Sequence, residues 1–495
     1  MVTRLRRFSQ IVFFLLFLGA LLGLGDLLVG RNGLRNLFLT VDPLIVVVSD
    51  LAARSFSVGV LWSLALILPT MLFGRFFCGW ICPAGSMQEA VAALRSVARR
   101  QASKRNRYKG WQLGKYILLA TGLLVALFGA STLGWLDPLV MLTRSAGISI
   151  LPAAASKKYV TVHQPHYAAS MAVLIATVSL LLASLRVTRF WCRALCPLGA
   201  LLGLISRWSF LSLNKDESAC NRCGRCMVEC QGGDDPMPGA PWHKSECHRC
   251  MSCVSSCPHG ALRFTSFRPQ RSDGASANMH RRTVIGAIAA SLAAIPAVSV
   301  AAFGRAARPV PVRPPGAVDE SEFLSRCIRC GECVRVCPNY ALQPTFTEAG
   351  TIGFWSPMLA ANIGFCDPQC VMCTEVCPSG AIEPLTVAQK GWTDAPDRAP
   401  DPVRLGTAIY EKTRCLPWAK NTDCTICLEW CPVTPKAVYV EKAIVPDAAG
   451  GHLQLNRPQI DVAKCVGCGA CEYACPLDSP AVIVTNRGEH RLYRT

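Results

Sequence analysis

Cysteine carries the chemistry of this chain. Of its 28 cysteines, 24 fall into six groups of four. Four groups repeat one spacing of two, two and three intervening residues: Cys220, Cys223, Cys226 and Cys230; Cys247, Cys250, Cys253 and Cys257; Cys327, Cys330, Cys333 and Cys337; and Cys465, Cys468, Cys471 and Cys475. The other two keep the last two gaps. Cys366, Cys370, Cys373 and Cys377 have one extra residue in the first gap, and Cys415, Cys424, Cys427 and Cys431 have a long first gap. Five groups end in Cys-Pro; in the sixth, Gln231 follows Cys230. Three thiols on one loop and a fourth before proline form the ligand run of 4Fe–4S clusters. Zinc sites are built instead from separated cysteine pairs, and disulfide scaffolds scatter cysteines through short secreted chains. The groups therefore predict six 4Fe–4S clusters. In the two-cluster pattern the fourth cysteine of each group ligates the other cluster. Cys257 then joins Cys220, Cys223 and Cys226, while Cys230 joins Cys247, Cys250 and Cys253.

The last four cysteines form two further pairs, Cys78 with Cys82 and Cys192 with Cys196, each ending in Cys-Pro. They sit in an internal repeat. Arg75-Phe-Phe-Cys78 and Cys82-Pro83-Ala-Gly85 are answered by Arg189-Phe-Trp-Cys192 and Cys196-Pro197-Leu-Gly199, and Asp42-Pro43-Leu44 by Asp137-Pro138-Leu139. Two copies in one orientation imply a pseudo-two-fold axis along a membrane normal. Each pair has i,i+4 spacing and shares a helical face if the helix persists. Symmetry would then gather four thiols, a ligand set for a metal ion or an iron–sulfur centre. A reversible dithiol and plain buried packing are the alternatives.

The elements that position these cysteines begin with apolar runs. Hydrophobic residues make up 51% of the chain and charged ones 17%, a balance that fits a membrane protein with soluble appendages. Runs at Ile11–Val29, Val58–Phe77, Leu113–Leu133 and Ala168–Leu185 are each close to the length of a spanning helix. Arg4, Arg6 and Arg7 and the basic loop from Arg95 to Lys109 place the N-terminus and the second connection in the cytoplasm. The net charge of +19 crowds beside these runs, so it argues for membrane orientation and against nucleic-acid binding.

The expected fold is multi-domain. A four-helix α transmembrane domain with two Cys-x3-Cys-Pro motifs (1–210) precedes a cytoplasmic two-cluster ferredoxin module (211–270). Arg281 and Arg282 then open an uncharged apolar stretch from Val284 to Phe303. Residues 279–305 read as a twin-arginine-like signal or a fifth transmembrane helix, and Pro309 begins a stiff spacer. Either way the stretch crosses once and puts α+β ferredoxin-like modules (319–495) with four clusters in the periplasm. His163 and His166 fall in the expected outer loop, near Asp42, Asp137 and Arg144 in the topology. A quinol oxidised there needs a base to take its protons; solvated loop histidines are the plain alternative. No Cys-x-x-Cys-His for a c-type haem is present.

With these residues in view, the first half, with its four spans, paired Cys-x3-Cys-Pro motifs and two-cluster tail, resembles the NapH/MauN family of membrane ferredoxins and NosR-type proteins. From Met279 onward, twin arginines followed by four cysteine groups resemble the NapG/MauM family of periplasmic polyferredoxins. The chain looks like a fusion of the two partners. The resemblance implies a quinol dehydrogenase of the bacterial inner membrane, with lipid and quinol as partners, passing electrons to a periplasmic redox protein or reductase of the nitrate-reductase kind. It also implies cross-pairing of the four periplasmic groups, first with fourth and second with third, so that Cys337 and Cys475 swap clusters, as do Cys377 and Cys431. Other roles in such families are electron supply for maturing or repairing a periplasmic metalloenzyme, and metal reduction. No Gly-rich nucleotide loop or Ser/His/Asp set stands out, so chemistry at the far end belongs to a partner.

Overall fold

The structure, a computed structural model, describes residues 2–23, 36–95, 99–152, 167, 170–266, 310–393, 399–446 and 452–491. The apolar stretch 279–305 and both loop histidines, His163 and His166, lie outside the described residues. The chain divides into two compact units, Met1–Ile150 with Ala169–Ala297, and Leu151–Ala168 with Val298–Thr495.

In the first unit, α1 (Val2–Leu21), α2 (Pro43–Ala53), α3 (Gly59–Phe73), α4 (Phe76–Trp80) and α5 (Pro83–Ala93) lead to α6 (Gly114–Leu127). Then α7 (Pro138–Ser145), α8 (Ser170–Leu182), α9 (Phe190–Ala194) and α10 (Pro197–Ile205) repeat the order of α2 to α5. Equivalent sequence signals start equivalent helices. Asp42 caps α2 by accepting from Leu44 N at 2.8 Å, and Asp137 caps α7 from Leu139 N at 2.8 Å and Val140 N at 3.0 Å. In each case proline takes the first helical position, where no N–H is needed.

Of the four expected spans, among the described residues one helix, Gln101–Leu127, is long and apolar enough to cross a membrane. Gly59–Phe73 and Ser170–Leu185 are apolar but shorter. Gly59–Phe73 ends early because Gly74 turns the chain at φ 83 and Arg75 follows. What these helices bury is the reverse of a water-soluble pattern. On α3 the buried side chains include Ser63 and Thr70, while Leu61 is 68% exposed; on α8 Thr177 is buried and Met171 is 64% exposed.

The unit continues as a ferredoxin-like module. Strands β1 (Leu211–Lys215) and β2 (Leu262–Ser266) pair antiparallel, Leu211 opposite Ser266. Between them lie two short helices, α11 (Arg225–Val228) and α12 (Ser252–Ser256). Leu213, Met227 and Leu262 pack with Cys226 and Cys253 in its core. A buried charge joint fastens the module to the helices. Glu246 pairs with Lys115, lies 4.0 Å from Arg75, and accepts from Tyr116 Oη at 2.8 Å. Gln112 Nε2 donates to Gly232 O at 3.1 Å, and Arg75 donates to Ser245 O at 2.8 Å.

Among the described residues the second unit is built from short helical turns and three antiparallel strand pairs, β3 (Leu342–Pro344) with β4 (Pro357–Leu359), β5 (Thr407–Tyr410) with β8 (Val482–Thr485), and β6 (Val438–Pro446) with β7 (His452–Ile460). Trp392, fully buried, anchors its core with Leu359, Val403, Leu405 and Val466, and its indole donates to Val403 O at 2.6 Å.

Burial pushes the Glu246 carboxyl up, yet Lys115 and Arg75 hold it below the ordinary range. Because its folded value is depressed, the stability it contributes is present at neutral pH and is lost as pH falls through that value. Glu246→Gln leaves two buried cations without their anion and is expected to destabilise the full chain by about 3–5 kcal/mol. Thermal unfolding in detergent, with Glu229→Gln on the exposed surface as control, checks this.

Candidate iron–sulfur centres

The regular cysteine loops share one backbone device. The residue before the second cysteine is left-handed in four groups, at Arg222 (φ 56), Arg249 (φ 52), Arg329 (φ 60) and Gly467 (φ 69). So is the residue after it, at Gly224 (φ 72), Met251 (φ 59), Gly331 (φ 80) and Gly469 (φ 88). Arginine and methionine adopt this region at a cost that surrounding structure must hold in place. In the first of these loops Arg222 N donates to Cys220 Sγ at 3.4 Å. A single helical turn then presents the third cysteine. The two groups with altered first gaps lack the device, with Val371 at φ −129 and Thr425 at φ −124.

Which fourth cysteine completes each set is visible in the packing. Cys377 lies with Cys327, Cys330 and Cys333. An open cavity of about 390 Å³ is lined by Cys337 together with Cys366, Cys370 and Cys373. Another of about 360 Å³ is lined by Cys475 with Cys415, Cys424 and Cys427. Cys431 stands beside Cys468 and Cys471. The expected pairing of first with fourth and second with third is therefore corrected: neighbours in sequence pair, first with second and third with fourth. The reason is local. The helical turn Glu332–Arg335 packs on Met372–Glu375, and Ile426–Glu429 packs on Ala470–Tyr473, so each closes on the adjacent group. In the first unit Cys230 lies beside Cys253, as the two-cluster pattern requires.

The pairs then join in an order that differs from the sequence. Cys333 neighbours Cys373 and Cys377. Cys366 N donates to Cys468 O at 2.8 Å, linking the second group to the fourth. Cys471 neighbours Cys427, linking the fourth to the third. The second unit thus lines up its sites as one, two, four, three.

The donor sets fit 4Fe–4S clusters. Two of them are four thiols lining a cavity, and burial pushes thiols in these groups up, Cys468 to about 12 and Cys226 to about 11. Only a strong positive centre makes them good thiolate ligands there. Side chains that spacing alone did not single out reach the sulfurs. Lys390, buried over the Trp392 ring at 4.1 Å, donates to Cys366 Sγ at 3.3 Å and to Cys370 O at 2.8 Å. Tyr410 Oη lies 3.1 Å from Cys427 Sγ.

Cys78, Cys82, Cys192 and Cys196 also converge, though the helix does not persist through either pair. In each copy the helix breaks after the first cysteine, and the second takes an extended conformation as the cap of α5 or α10 (Cys82 ψ 118, Cys196 ψ 107). Pro83 and Pro197 dictate this, since proline drives the residue before it out of the helical region. Cys82 is close to Cys192 and Cys78, and Cys196 to the same two. Gln88 Nε2 donates to Cys192 Sγ at 3.4 Å and Gly199 N to Cys196 Sγ at 3.1 Å. Arg75 and Arg189, both fully buried, cross between the copies. Arg75 lies against Gly199, where a Cβ would stand 2.7 Å from Nη2, and Arg189 lies against Gly85 and donates to Cys78 O at 2.5 Å. Among the described residues no three Cys, His, Asp or Glu side chains stand at single-ion spacing. The ferredoxin-like module closes directly over this site: a Cβ on Gly79 would meet His248 O at 2.4 Å, and Trp80 Nε1 donates to Arg249 O at 2.9 Å.

Comparisons with known proteins follow the same lines. Residues 56–101 and 169–214, the two copies of the repeat, each match a 4Fe-4S binding domain; 212–271 match a 4Fe-4S dicluster domain; and 323–343 and 458–480 match a further 4Fe-4S binding domain. Over 177 residues the chain is 32% identical to the ferredoxin-type protein NapG of Escherichia coli, covering 35% of this chain and 70% of that protein. Over 199 residues it is 35% identical to the methylamine utilization ferredoxin-type protein MauM of Methylobacillus flagellatus, covering 37% of this chain and 75% of that one. The chain belongs to the NapG and MauM family of ferredoxin-type proteins. That membership covers its C-terminal half. A putative electron transport protein of Escherichia coli, YccM, is 28% identical over 170 residues, 34% of this chain and 44% of its own. No solved structure matches. As a member of the NapG and MauM family, the chain is an iron–sulfur electron-transfer protein.

Two outcomes follow from the geometry. Cys475→Ser is expected to remove the centre held by Cys415, Cys424 and Cys427, roughly four iron atoms, and to leave the Cys327, Cys330 and Cys333 signal in electron paramagnetic resonance; Cys377→Ser should do the reverse. Lys390→Met removes a buried cation beside Cys366 and should lower the potential of that centre by roughly 65–130 mV, one charge-assisted contact of about 1.5–3 kcal/mol on a one-electron couple. A redox titration of the full chain reads it.

Proposed function

We propose that this chain is a quinol dehydrogenase component of the bacterial inner membrane, delivering electrons to a periplasmic redox protein or reductase of the nitrate-reductase kind. One observation carries the reading: four thiols gathered between two repeat copies, in a helical domain with apolar side chains outward, with a ferredoxin-like module packed over them. The outward Leu61 and Met171 and inward Ser63, Thr70 and Thr177 suit helices solvated by lipid. Residues 1–210 would form the membrane domain, 211–270 a cytoplasmic module, 279–305 the single crossing, and 319–495 the periplasmic domain.

In this reading six 4Fe–4S clusters are held by the six cysteine groups, paired as neighbours, and a seventh centre by Cys78, Cys82, Cys192 and Cys196. When bound, these clusters supply one-electron carriage. The chain's own residues do the rest. Arg75 and Arg189 neutralise negative charge at the membrane thiols, Gly79 lets the Cys247–Cys253 loop approach, and Lys390 and Tyr410 set hydrogen bonds on the sulfurs that tune potential. The relatives named for methylamine utilization favour a second reading, in which the electrons serve maturation of a periplasmic metalloenzyme.

Added quinol should bleach the iron–sulfur absorbance of membranes carrying the wild-type chain. Cys78→Ser and Cys192→Ser should lose this response by at least tenfold while still bleaching with a chemical reductant. Inertness of the wild type to ubiquinol and menaquinol alike would sink the quinol reading.

A further inference from the structure

Five of the six cysteine groups close on Cys-Pro, but Cys230 is followed by Gln231, Gly232, Gly233 and Asp234. Without proline, these residues turn back on the sulfur. Asp234 Oδ1 stands 2.6 Å from Cys230 Sγ, and Asp234 N donates to the same sulfur at 3.4 Å. Both residues are buried, Asp234 at 4% exposure and Cys230 at 5%. The turn is tightly held. A Cβ on Gly232 would collide with Glu246 O, and one on Gly233, left-handed at φ 65, with the Arg193 guanidinium. Asp234 Oδ2 accepts from Trp242 Nε1 at 3.2 Å, and Asp234 O accepts from His243 N at 3.1 Å. Four residues after the last cysteine, the other groups carry Ala261, Ala341, Ala381, Pro435 and Ser479. None of these is a carboxylate.

A carboxylate and a thiolate both act as acceptors, and burying them without a cation is costly. The neighbouring cations are committed elsewhere. Lys215 Nζ donates to Asp235 O, Met237 O and Ala240 O at 2.9, 3.3 and 2.8 Å. Arg107 pairs with Asp235 at 4.0 Å, and Arg193 donates to Gln112 Oε1 and Arg107 O. What balances Asp234 is the metal that Cys230 itself binds, since iron accepts carboxylate as well as thiolate donors. The structure assigns Asp234 as an oxygen ligand of the cluster held by Cys230, Cys247, Cys250 and Cys253, on the same iron as Cys230. This rests on the proposed occupancy of that set by a 4Fe–4S cluster. The extra negative charge lowers the potential of this cluster relative to the all-thiolate set of Cys220, Cys223, Cys226 and Cys257. The two centres of one module are thereby made unequal, which gives electrons a preferred direction between them.

Iron counted per full chain in detergent tests the ligand without turnover. Cys253→Ala should lose roughly four iron atoms, because Asp234 shares the iron of Cys230 and does not serve that of Cys253. Cys230→Ala should keep its iron, and Cys230→Ala combined with Asp234→Asn should lose roughly four atoms. Asp234→Asn alone should keep its iron and raise the midpoint potential of the signal that Cys253→Ala abolishes. Asparagine still accepts from Trp242, so a merely structural role predicts neither the iron loss confined to the double variant nor the shift in potential. Equal losses of about four iron atoms in Cys230→Ala and Cys253→Ala, or full iron in the double variant, overturn the assignment. Full iron in Cys253→Ala instead sinks the cluster assignment on which it rests. If Cys230→Ala misfolds and loses iron throughout, the Asp234→Asn potential decides: an upward shift upholds the ligand, and an unchanged midpoint overturns it.

Discussion

Arg75 and Arg189 are each rooted in one copy of a repeat and reach into the other, and the first unit depends on that exchange. A buried guanidinium is costly unless it is paired and its donors are used. Here Arg189 meets Glu89 at 2.7 Å, which Arg6 also meets at 2.7 Å, while Arg75 reaches Ser245 O and lies near Glu246. Each arginine stands where its counterpart's glycine leaves room. The same two side chains therefore close the repeat on itself, crowd positive charge toward four thiols, and give the ferredoxin-like module its seat. An arginine-to-lysine exchange would not reproduce this, because lysine lacks the planar fork that serves several acceptors at once.

The repeat is not perfectly symmetric, and its departures are informative. Gly79 in the first copy becomes Arg193 in the second. Where the first copy admits the Cys247–Cys253 loop at close quarters, the second fills the place with a guanidinium that donates to Gln112 Oε1 at 2.8 Å and Arg107 O at 2.9 Å. Glu89, which anchors both Arg6 and Arg189, corresponds to Gly203 and has no acidic partner in the other copy. A duplicated scaffold has been turned into a one-sided one, so that a single module docks.

Much of this was legible in the sequence, because cysteine spacing is a direct statement about metal ligation. The repeat appears where its residues said, as two sets of equivalent helices. The lengths of the apolar helices were less legible: Gly74 and Arg75 end α3 before a full span, and a hydropathy run does not register a backbone turn. The break at Cys82 and Cys196 was written in Pro83 and Pro197, whose effect on the preceding residue outweighs helical spacing. The partnering of Cys337, Cys377, Cys431 and Cys475 was not legible, since motif spacing fixes three ligands and leaves the fourth to tertiary packing. Nor were Lys390 and Tyr410, distant in sequence from the sulfurs they touch.

Sequence-neighbour pairing has a consequence for biogenesis. The set Cys327, Cys330, Cys333 and Cys377 and the set Cys337, Cys366, Cys370 and Cys373 are both complete once residue 377 has been synthesised. The other two sets both wait for the last cysteine group, because Cys415, Cys424 and Cys427 lack a fourth ligand until Cys475 exists. Translation thus delivers the second unit in two instalments. A chain cut short between the two therefore holds every ligand of the first two sets and lacks the fourth ligand of the third.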